Sequence, residues 1–550
     1  MGRLSCFGIM FVLLAEGCNR RAPPVFHHAP ADFRIKGTYY SQPKAAINNF
    51  WAWVDFEQAK SDFRRLEEDG FNTIVLSIPW GFFQSNIRPI TYNEIAFEEL
   101  KQLLTMANSY GFKVILRVGS HEYVPKGAGG VHWAAATVLT NDEEWAAYRD
   151  LFREMAARTR AYPNLLAVFW TFEDAGYTPD LWLHSYPTNA AAFRRWLQHK
   201  PLASWNEFWG ESNVSYDTIQ PPDRASGPQN KLFSFVQFAD ELVAGRMPDV
   251  CAAIREGNWE LPVSFQPRAE INWGYDYSRQ FQLPSCYSFV TTWFSPYQSY
   301  LFGDTQPDLN GRRVATHVPD YIERTRRLSN GLPIFIDQFN FRHFGGPKGE
   351  SALGSEKDEL EFISNGLPNL LQSTLGYALW NYNDYYLNVT YNGSFRFGLD
   401  DWEVSPEPGG VRVLDAGGQR HWVEIQPGGW IRQEQISAES GQEYTIEFDA
   451  EAQSSGQILS LEVDFPGTHQ HTARSFPLVE QRTSFQWKMK IPPYEDKMNI
   501  AFRSARSSRP VRIGNILLYP WIDTGGIYTV DGQPRSQLRD LFRHINRFKH

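Results

Sequence analysis

Asn164-Leu-Leu-Ala-Val-Phe-Trp-Thr-Phe-Glu-Asp-Ala-Gly176 decides how this chain is read. From Leu165 to Phe172 the run is apolar and aromatic, interrupted only by Thr171, and it ends on two carboxylates, Glu173 and Asp174. A run with no polar alternation reads as a strand buried on both faces, the habit of parallel strands in α/β proteins. Acid at the carboxyl end of such a strand is where (β/α)8 barrels place their chemistry. The competing reading is that Glu173 caps the helix that follows.

The neighbouring sequence repeats the pattern. Strands are predicted at Phe33–Tyr40, Thr73–Trp80, Lys113–Gly119, Pro262–Gln266, Cys286–Trp293, Pro333–Asp337 and Gly376–Trp380. Amphipathic helices separate them: Asp55 is placed to cap one that runs to Asp69 and stops at Gly70, and Phe97, Leu100, Leu104 and Ala107 mark the next. Strands alternating with helices imply a parallel sheet, and eight of them a closed (β/α)8 TIM barrel, an α/β fold, over residues 33–391. No GxGxxG follows the first strand, so nothing supports a dinucleotide fold or a nicotinamide or flavin cofactor.

After Tyr391 the helical period disappears and short alternating segments take over, such as Gln442-Glu-Tyr-Thr-Ile-Glu-Phe-Asp449. Residues 392–522 therefore read as an all-β sandwich. Residues 523–550 begin with turns, and Arg535 to Phe548 form an amphipathic helix with Leu538, Leu541, Phe542, Ile545 and Phe548 on one face. Strand eight has no helix behind it before the sandwich begins. The expectation is that the sandwich is inserted before the last barrel helix, which returns to cover apolar surface beside the first helix.

A chain of 550 residues calls for two domains. Its net charge of −9 argues against nucleic acid as a partner. Arg3, the apolar Leu4–Leu14 and Ala15-Glu-Gly-Cys18 read as a signal peptide, too short to span a bilayer. The segment is similar to a bacterial lipoprotein signal, with a lipid anchor on Cys18, a tether over residues 19–32, and an exported or periplasmic location; Glu16 departs from that pattern and leaves plain secretion open. Cys251 and Cys286 are the remaining thiols and do not amount to a disulfide framework. Neither sits in a CxxC or Cys/His cluster, and no metal site is expected; His121 and Glu122 lack the spacing of a closed one.

The residues of the barrel resemble clan A of the glycoside hydrolases, nearest the β-galactosidase-type families thirty-five and forty-two. The likeness is carried by Gly70-Phe-Asn-Thr-Ile-Val-Leu-Ser-Ile-Pro-Trp80, by Gly111-Phe-Lys-Val-Ile-Leu-Arg-Val-Gly119 with Gly129-Gly-Val-His-Trp133, by Phe193-Arg-Arg-Trp-Leu197 with Trp205-Asn-Glu-Phe-Trp-Gly210, and by Pro333-Ile-Phe-Ile-Asp-Gln-Phe339. The resemblance implies hydrolysis of a β-linked oligo- or polysaccharide with an acid/base Glu after strand four, which is Glu173. Phe172 stands where the Asn before that Glu is usual. It also implies a nucleophile after strand seven, and there the chain departs: the position holds Gln338, preceded by Asp337. A neutral amide is no glycosyl nucleophile. Asp337 takes the role by a one-residue shift, or hydrolysis has been lost and binding kept, or another carboxylate such as Asp384 serves.

Two carboxyls are wanted because one protonates the leaving oxygen and the other meets the oxocarbenium-like carbon. A separation of about 5 Å gives retention, and roughly 6.5–9.5 Å inversion. Other strand ends offer candidates for sugar binding: Trp80, Arg117, His121, Glu122, Asp174, Glu270, Trp293, Trp380 and Asp384, together with Gln338. Each has a plainer reading; Arg117 serves equally as the buried partner of a barrel carboxylate. The abundance of aromatic side chains, 19 Trp and 25 Tyr, suits stacking on pyranose faces. Asn392-Gly-Ser-Phe-Arg-Phe-Gly-Leu-Asp-Asp-Trp402 resembles the opening of jelly-roll carbohydrate-binding modules, with Trp422, Trp430 and Tyr444 as stacking rings, or the sandwich is purely structural.

Overall fold

The computed structural model describes residues 25–547 apart from 27–28, 31, 45–48, 121–122, 130–136, 172–186, 223–227, 269–270, 273–274, 277, 297–309, 340–354, 407–409, 416–420, 507–508 and 524. The expected signal peptide and Cys18 lie outside the described residues, as do Glu173, Asp174, His121, Glu122 and Glu270.

Eight parallel strands close into a barrel: β1 Ile35–Tyr39, β2 Thr73–Pro79, β3 Lys113–Ser120, β4 Leu165–Thr171, β5 Val263–Gln266, β6 Phe289–Phe294, β7 Ile334–Phe339 and β8 Gly376–Leu379, with β1 pairing both β2 and β8. Period-two alternation sorts their side chains into two layers. Tyr39, Val75, Ile115, Phe169, Phe289, Phe335 and Ala378 pack together inside the barrel. Leu76, Leu116, Val168, Trp170, Ile336 and Leu379 face the helices. Both layers are apolar, so the sequence shows no alternation.

The longer helices around the barrel are α1 Phe56–Glu68, α2 Glu94–Ser109, α3 Asp142–Thr159, α4 Pro187–Leu197, α5 Gln229–Gly257, α6 Val318–Leu328, α7 Glu356–Ser373 and α8 Ser536–Arg547. Asp55 caps α1 as expected, accepting from the Glu57 and Gln58 amides at 2.9 and 3.0 Å, and buries Ala59, Phe63 and Leu66 beneath it. Cys251 near the end of α5 and Cys286 before β6 form a disulfide. Counting cysteines left them as thiols, because 35 residues separate partners that only the return of α5 toward β6 brings together.

Between β8 and α8 stand two five-stranded antiparallel sheets. One is ordered Glu403–Val404, Trp430–Ser437, Lys497–Ser504, Ile458–Phe465, Gln470–Pro477; the other Val411–Asp415, His421–Ile425, Val511–Tyr519, Glu443–Ala452, Thr483–Lys490. They enclose a core of their own that includes Val423, Ile446, Phe448, Leu461, Ile500 and Phe502. The sandwich is thus an insertion ahead of the last barrel helix. Phe542 of α8 is fully buried, with its ring centroid 6.1 Å from that of Phe71 and 6.3 Å from that of Tyr377 in β8. The Tyr377 hydroxyl donates to Asn546 Oδ1 at 2.7 Å, and Arg539 Nε donates to Asp69 at the end of α1 at 2.9 Å. Gly70, at φ +80°, both ends α1 and admits this helix: a Cβ there would lie 2.9 Å from Asn546 Cβ. Seen from the other side, Arg396 at the start of the insertion pairs with the buried Glu99 of α2 and donates to the Val54 carbonyl at 3.0 Å, joining sandwich to barrel.

Candidate active site

At the carboxyl end of the barrel, β7 breaks its alternation. Ile336 and Phe339 both belong to the outer, helix-facing layer although three residues apart, and the pairing of β7 slips against both β6 and β8 in this interval. A bulge at Asp337–Gln338 re-aims these two side chains, as bulges at barrel rims do. Alternation, which in a regular strand sends adjacent side chains to opposite faces, does not hold across this bulge.

Asp337 points into the barrel and is fully buried. The Tyr39 hydroxyl, at the end of β1, donates to Oδ2 at 2.7 Å, and Gln266 Nε2, at the end of β5, reaches Oδ1 and Oδ2 at 2.8 and 2.9 Å. Arg117, on β3, is almost fully buried, with its guanidinium 5.9 Å from the centre of the Tyr39 ring. Burial pushes the Asp337 carboxyl up to about 7, while the Tyr39 hydrogen bond, the Arg117 charge and the Gln266 hydrogen bond draw it back down. Side chains from three other strands thus converge on the carboxyl that β7 presents. The amide oxygen of Gln266, Oε1, is buried with no protein partner among the described residues.

Trp380, directly after β8, is half-buried with its ring 4.9 Å from that of Tyr39, so it borders the same space. Trp293 and Gln338 are register partners on β6 and β7 and are nearly buried. Arg117 and Trp380 therefore gather with Tyr39 and Gln266 around Asp337 at one end of the barrel, whereas Trp293 packs with the outer, helix-facing core.

Two further expectations are corrected. Trp80 is fully buried: its indole N–H donates to Gln84 Oε1 at 2.6 Å and its ring meets Tyr148 edge-on at 4.9 Å, so it has no face to offer a sugar. It follows the barrel strand but begins a short helix, Trp80–Phe83, that turns the ring into the outer core. Asp384 is likewise nearly buried and is tied to the segment returning from the sandwich, accepting from the Arg535 guanidinium at 2.9 and 2.7 Å and from the Gly526 amide at 2.8 Å. It anchors the insertion. In the sandwich, Tyr444 is buried, whereas Trp422 and Trp430 lie under the guanidiniums of Arg482 and Arg432, at 5.5 and 5.3 Å.

Sequence reading missed Tyr39 and Gln266. Both occupy the last position of a barrel strand, and the rule that selected Trp293 and Trp380 would have selected them had polar and hydroxylated strand ends been weighed with tryptophans. Among the described residues no group of three or more His, Cys, Asp or Glu is placed to hold a metal ion.

Residues 33–169, from β1 to near the end of β4, match the family Cellulase (glycosyl hydrolase family 5). No curated protein matches the chain. Among solved structures, the chain is similar to the cold-adapted β-galactosidase from Rahnella sp. R3, 15% identical with a TM-score of 0.46 over 66% of this chain and 52% of that one. It is similar to the exo-β-1,4-mannosidase Op5Man5 from Opitutaceae bacterium strain TAV5, 13% identical with a TM-score of 0.43 over 64% and 52%. It is also similar to TmCBM61 in complex with β-1,4-galactotriose, 17% identical with a TM-score of 0.21 over 24% and 99%. The chain thus spans about half the length of the first two. The family match relates the first half of the barrel to glycoside hydrolases and selects no single family for the whole chain.

Proposed function

We propose that this protein is a glycoside hydrolase acting on a β-linked glycan, with Glu173 as the general acid and Asp337 as the second carboxylate, and with retention of configuration. The observation that carries the reading is the buried carboxyl of Asp337 at the carboxyl end of β7, held by Tyr39 and Gln266 and facing the charge of Arg117. A carboxylate fixed in a low-dielectric site offers its charge to an oxocarbenium-like carbon without reorganisation. In the sequence Glu173 directly follows Phe169, Trp170 and Phe172, and a general acid needs surroundings that favour its protonated form. Trp380 supplies a ring at the rim, and the unpartnered Gln266 Oε1 supplies an acceptor for a sugar hydroxyl.

The second reading is a catalytically silent glycan-binding protein on the same barrel. Gln338 in the usual nucleophile position favours it, as does the engagement of both Asp337 oxygens by Tyr39 and Gln266. A panel of aryl β-glycosides and polysaccharides, with anomeric configuration of the products followed by NMR, separates the two. Turnover that disappears in Asp337→Asn supports the hydrolase. Glycan binding without turnover on any member of the panel, in a protein where Gln338→Glu creates activity, establishes the silent binder instead.

From the segment Arg3 to Cys18 we also propose that the protein is exported, either secreted or anchored through lipid on Cys18. The Cys251–Cys286 disulfide supports an oxidising compartment. Metabolic labelling with a fatty acid, lost in Cys18→Ser, tests the anchor.

A further inference from the structure

A groove of about 420 Å³ lies on the outside of the barrel between the start of α3, α4 and α5. Its volume is within the range of roughly 300–1,000 Å³ usual for small-ligand sites. One wall is apolar, made by Trp196, Phe238 and Leu242. The rim is polar, with Glu241 and Arg195 on one side and Asp142 and Arg246 on the other.

The wall is rigid. The Trp196 indole N–H donates to Glu241 Oε2 at 2.7 Å, and Gln237 holds the other oxygen of Glu241 at 3.0 Å. Behind Trp196 stand Trp205, at 5.6 Å between ring centres, and Trp209, stacked on Trp205 at 5.2 Å. Arg246 is fixed as well, donating to the Leu139 carbonyl at 2.9 Å and to Asp142 at 3.0 Å. A site whose rings and forks are already ordered loses little freedom on binding.

We infer that this groove is a second carbohydrate-binding site, distinct from the barrel lumen, that holds a neutral glycan chain. The inference rests on the glycan-hydrolase reading for its ligand class. The partly exposed Trp196 indole beside carboxylates and guanidiniums, with Phe238 packed beneath, matches a pyranose, which offers an apolar face and a ring of hydroxyls that both donate and accept. The charges decide between ligands. Two arginines are matched by two carboxylates, so the groove carries no net positive charge to attract a phosphate or sulfate. Its place on the molecule fits a polymer: α3 begins at the carboxyl end of the barrel, so the groove opens on the side of Asp337 but outside the helix ring. A long chain can rest there while another stretch of it enters the lumen.

The test uses the full chain. Ala192 lines the groove and is partly exposed, so Ala192→Arg obstructs it without removing packing; Arg195→Ala removes an exposed rim group. Retention by immobilised β-linked polysaccharides in affinity electrophoresis is compared with turnover of a short aryl glycoside. The expected result is that both variants keep aryl-glycoside turnover within about twofold of the unmodified protein, while apparent affinity for polysaccharide falls about tenfold or more. Polysaccharide retention unchanged in Ala192→Arg overturns the groove site, whatever the turnover. Loss of retention in the groove variants from a protein that turns over no substrate overturns the hydrolase reading and leaves the groove standing. A protein neither retained nor active on any glycan of the panel overturns both. Retention that depends on the groove but is competed by an amphipathic peptide and not by soluble oligosaccharide also overturns the carbohydrate assignment.

Discussion

Asp337→Asn tests the candidate site through stability as well as activity. The side chain keeps its shape, and the Tyr39 hydroxyl keeps an acceptor. Gln266 loses one, but its unpartnered Oε1 can turn to accept from the new amide. What changes is the charge. The carboxyl is raised from 3.8 to about 7 in the folded protein, so the folded state binds the proton more tightly than the unfolded chain. Stability therefore falls as pH rises from about 4 to about 7 and levels off above. At 1.36 kcal/mol per pH unit the full effect is on the order of 4 kcal/mol, an upper bound that already includes the help of Arg117. Urea unfolding of both proteins between pH 4 and 8 measures it. Glu99 and Glu359, raised by burial to about 7 and about 8, add slopes of their own, so the difference between the two proteins is the quantity to read. The expected result is a variant more stable than the parent at pH 8, a gap that closes toward pH 4, and loss of turnover. A carboxyl kept at a cost to stability is kept for function. The reasoning is refuted if Asp337→Asn is less stable at pH 8 and still active, for then Asp337 is a structural partner of Arg117.

Glu173→Gln is expected to lower activity about 10²–10⁴-fold, with a smaller loss on substrates whose leaving group needs no protonation. Equal losses on both substrate types would sink the acid role. Phe542→Ala removes a fully buried ring between Phe71 and Tyr377 and is expected to cost about 3–5 kcal/mol in unfolding of the barrel; a loss under about 1 kcal/mol would show that α8 contributes little to barrel stability. Arg396→Met removes the cation that draws the buried Glu99 carboxyl down, so Glu99 stays protonated to higher pH in the variant; the expected loss, up to about 3–5 kcal/mol, is small below pH 7, where Glu99 is protonated in both proteins, and grows as pH rises above it. Limited proteolysis at the junction near Arg396, faster at pH 8 than at pH 6, reads the same effect.

Local sequence alone determined most of the architecture, because the barrel strands are short runs rich in apolar and β-branched residues and the helices between them carry their own apolar stripes and stops. Thr73–Pro79 and Leu165–Thr171 need no partner to be recognised, and Asp55 and Gly70 bound α1 wherever it packs. The insertion was legible for a related reason: strand eight lacked a helix, and the amphipathic Ser536–Arg547 lacked a strand. The site was legible only in part. Arg117, Trp293, Trp380 and Asp337 stand out as polar or aromatic residues at strand ends, and that position in a barrel is fixed by topology. Which of them meet was decided by the tertiary structure. Tyr39 and Gln266 reach Asp337 across 298 and 71 residues of chain. Trp80 and Asp384, at strand ends of the same kind, are drawn into the outer core and the returning segment. The β7 bulge, which sets the aim of Asp337 and Gln338, depends on its register with two neighbouring strands, and the disulfide on the path of a helix. Periodicity reports which face of an element is buried; the direction of a single side chain at its end depends on contacts between elements distant in the chain.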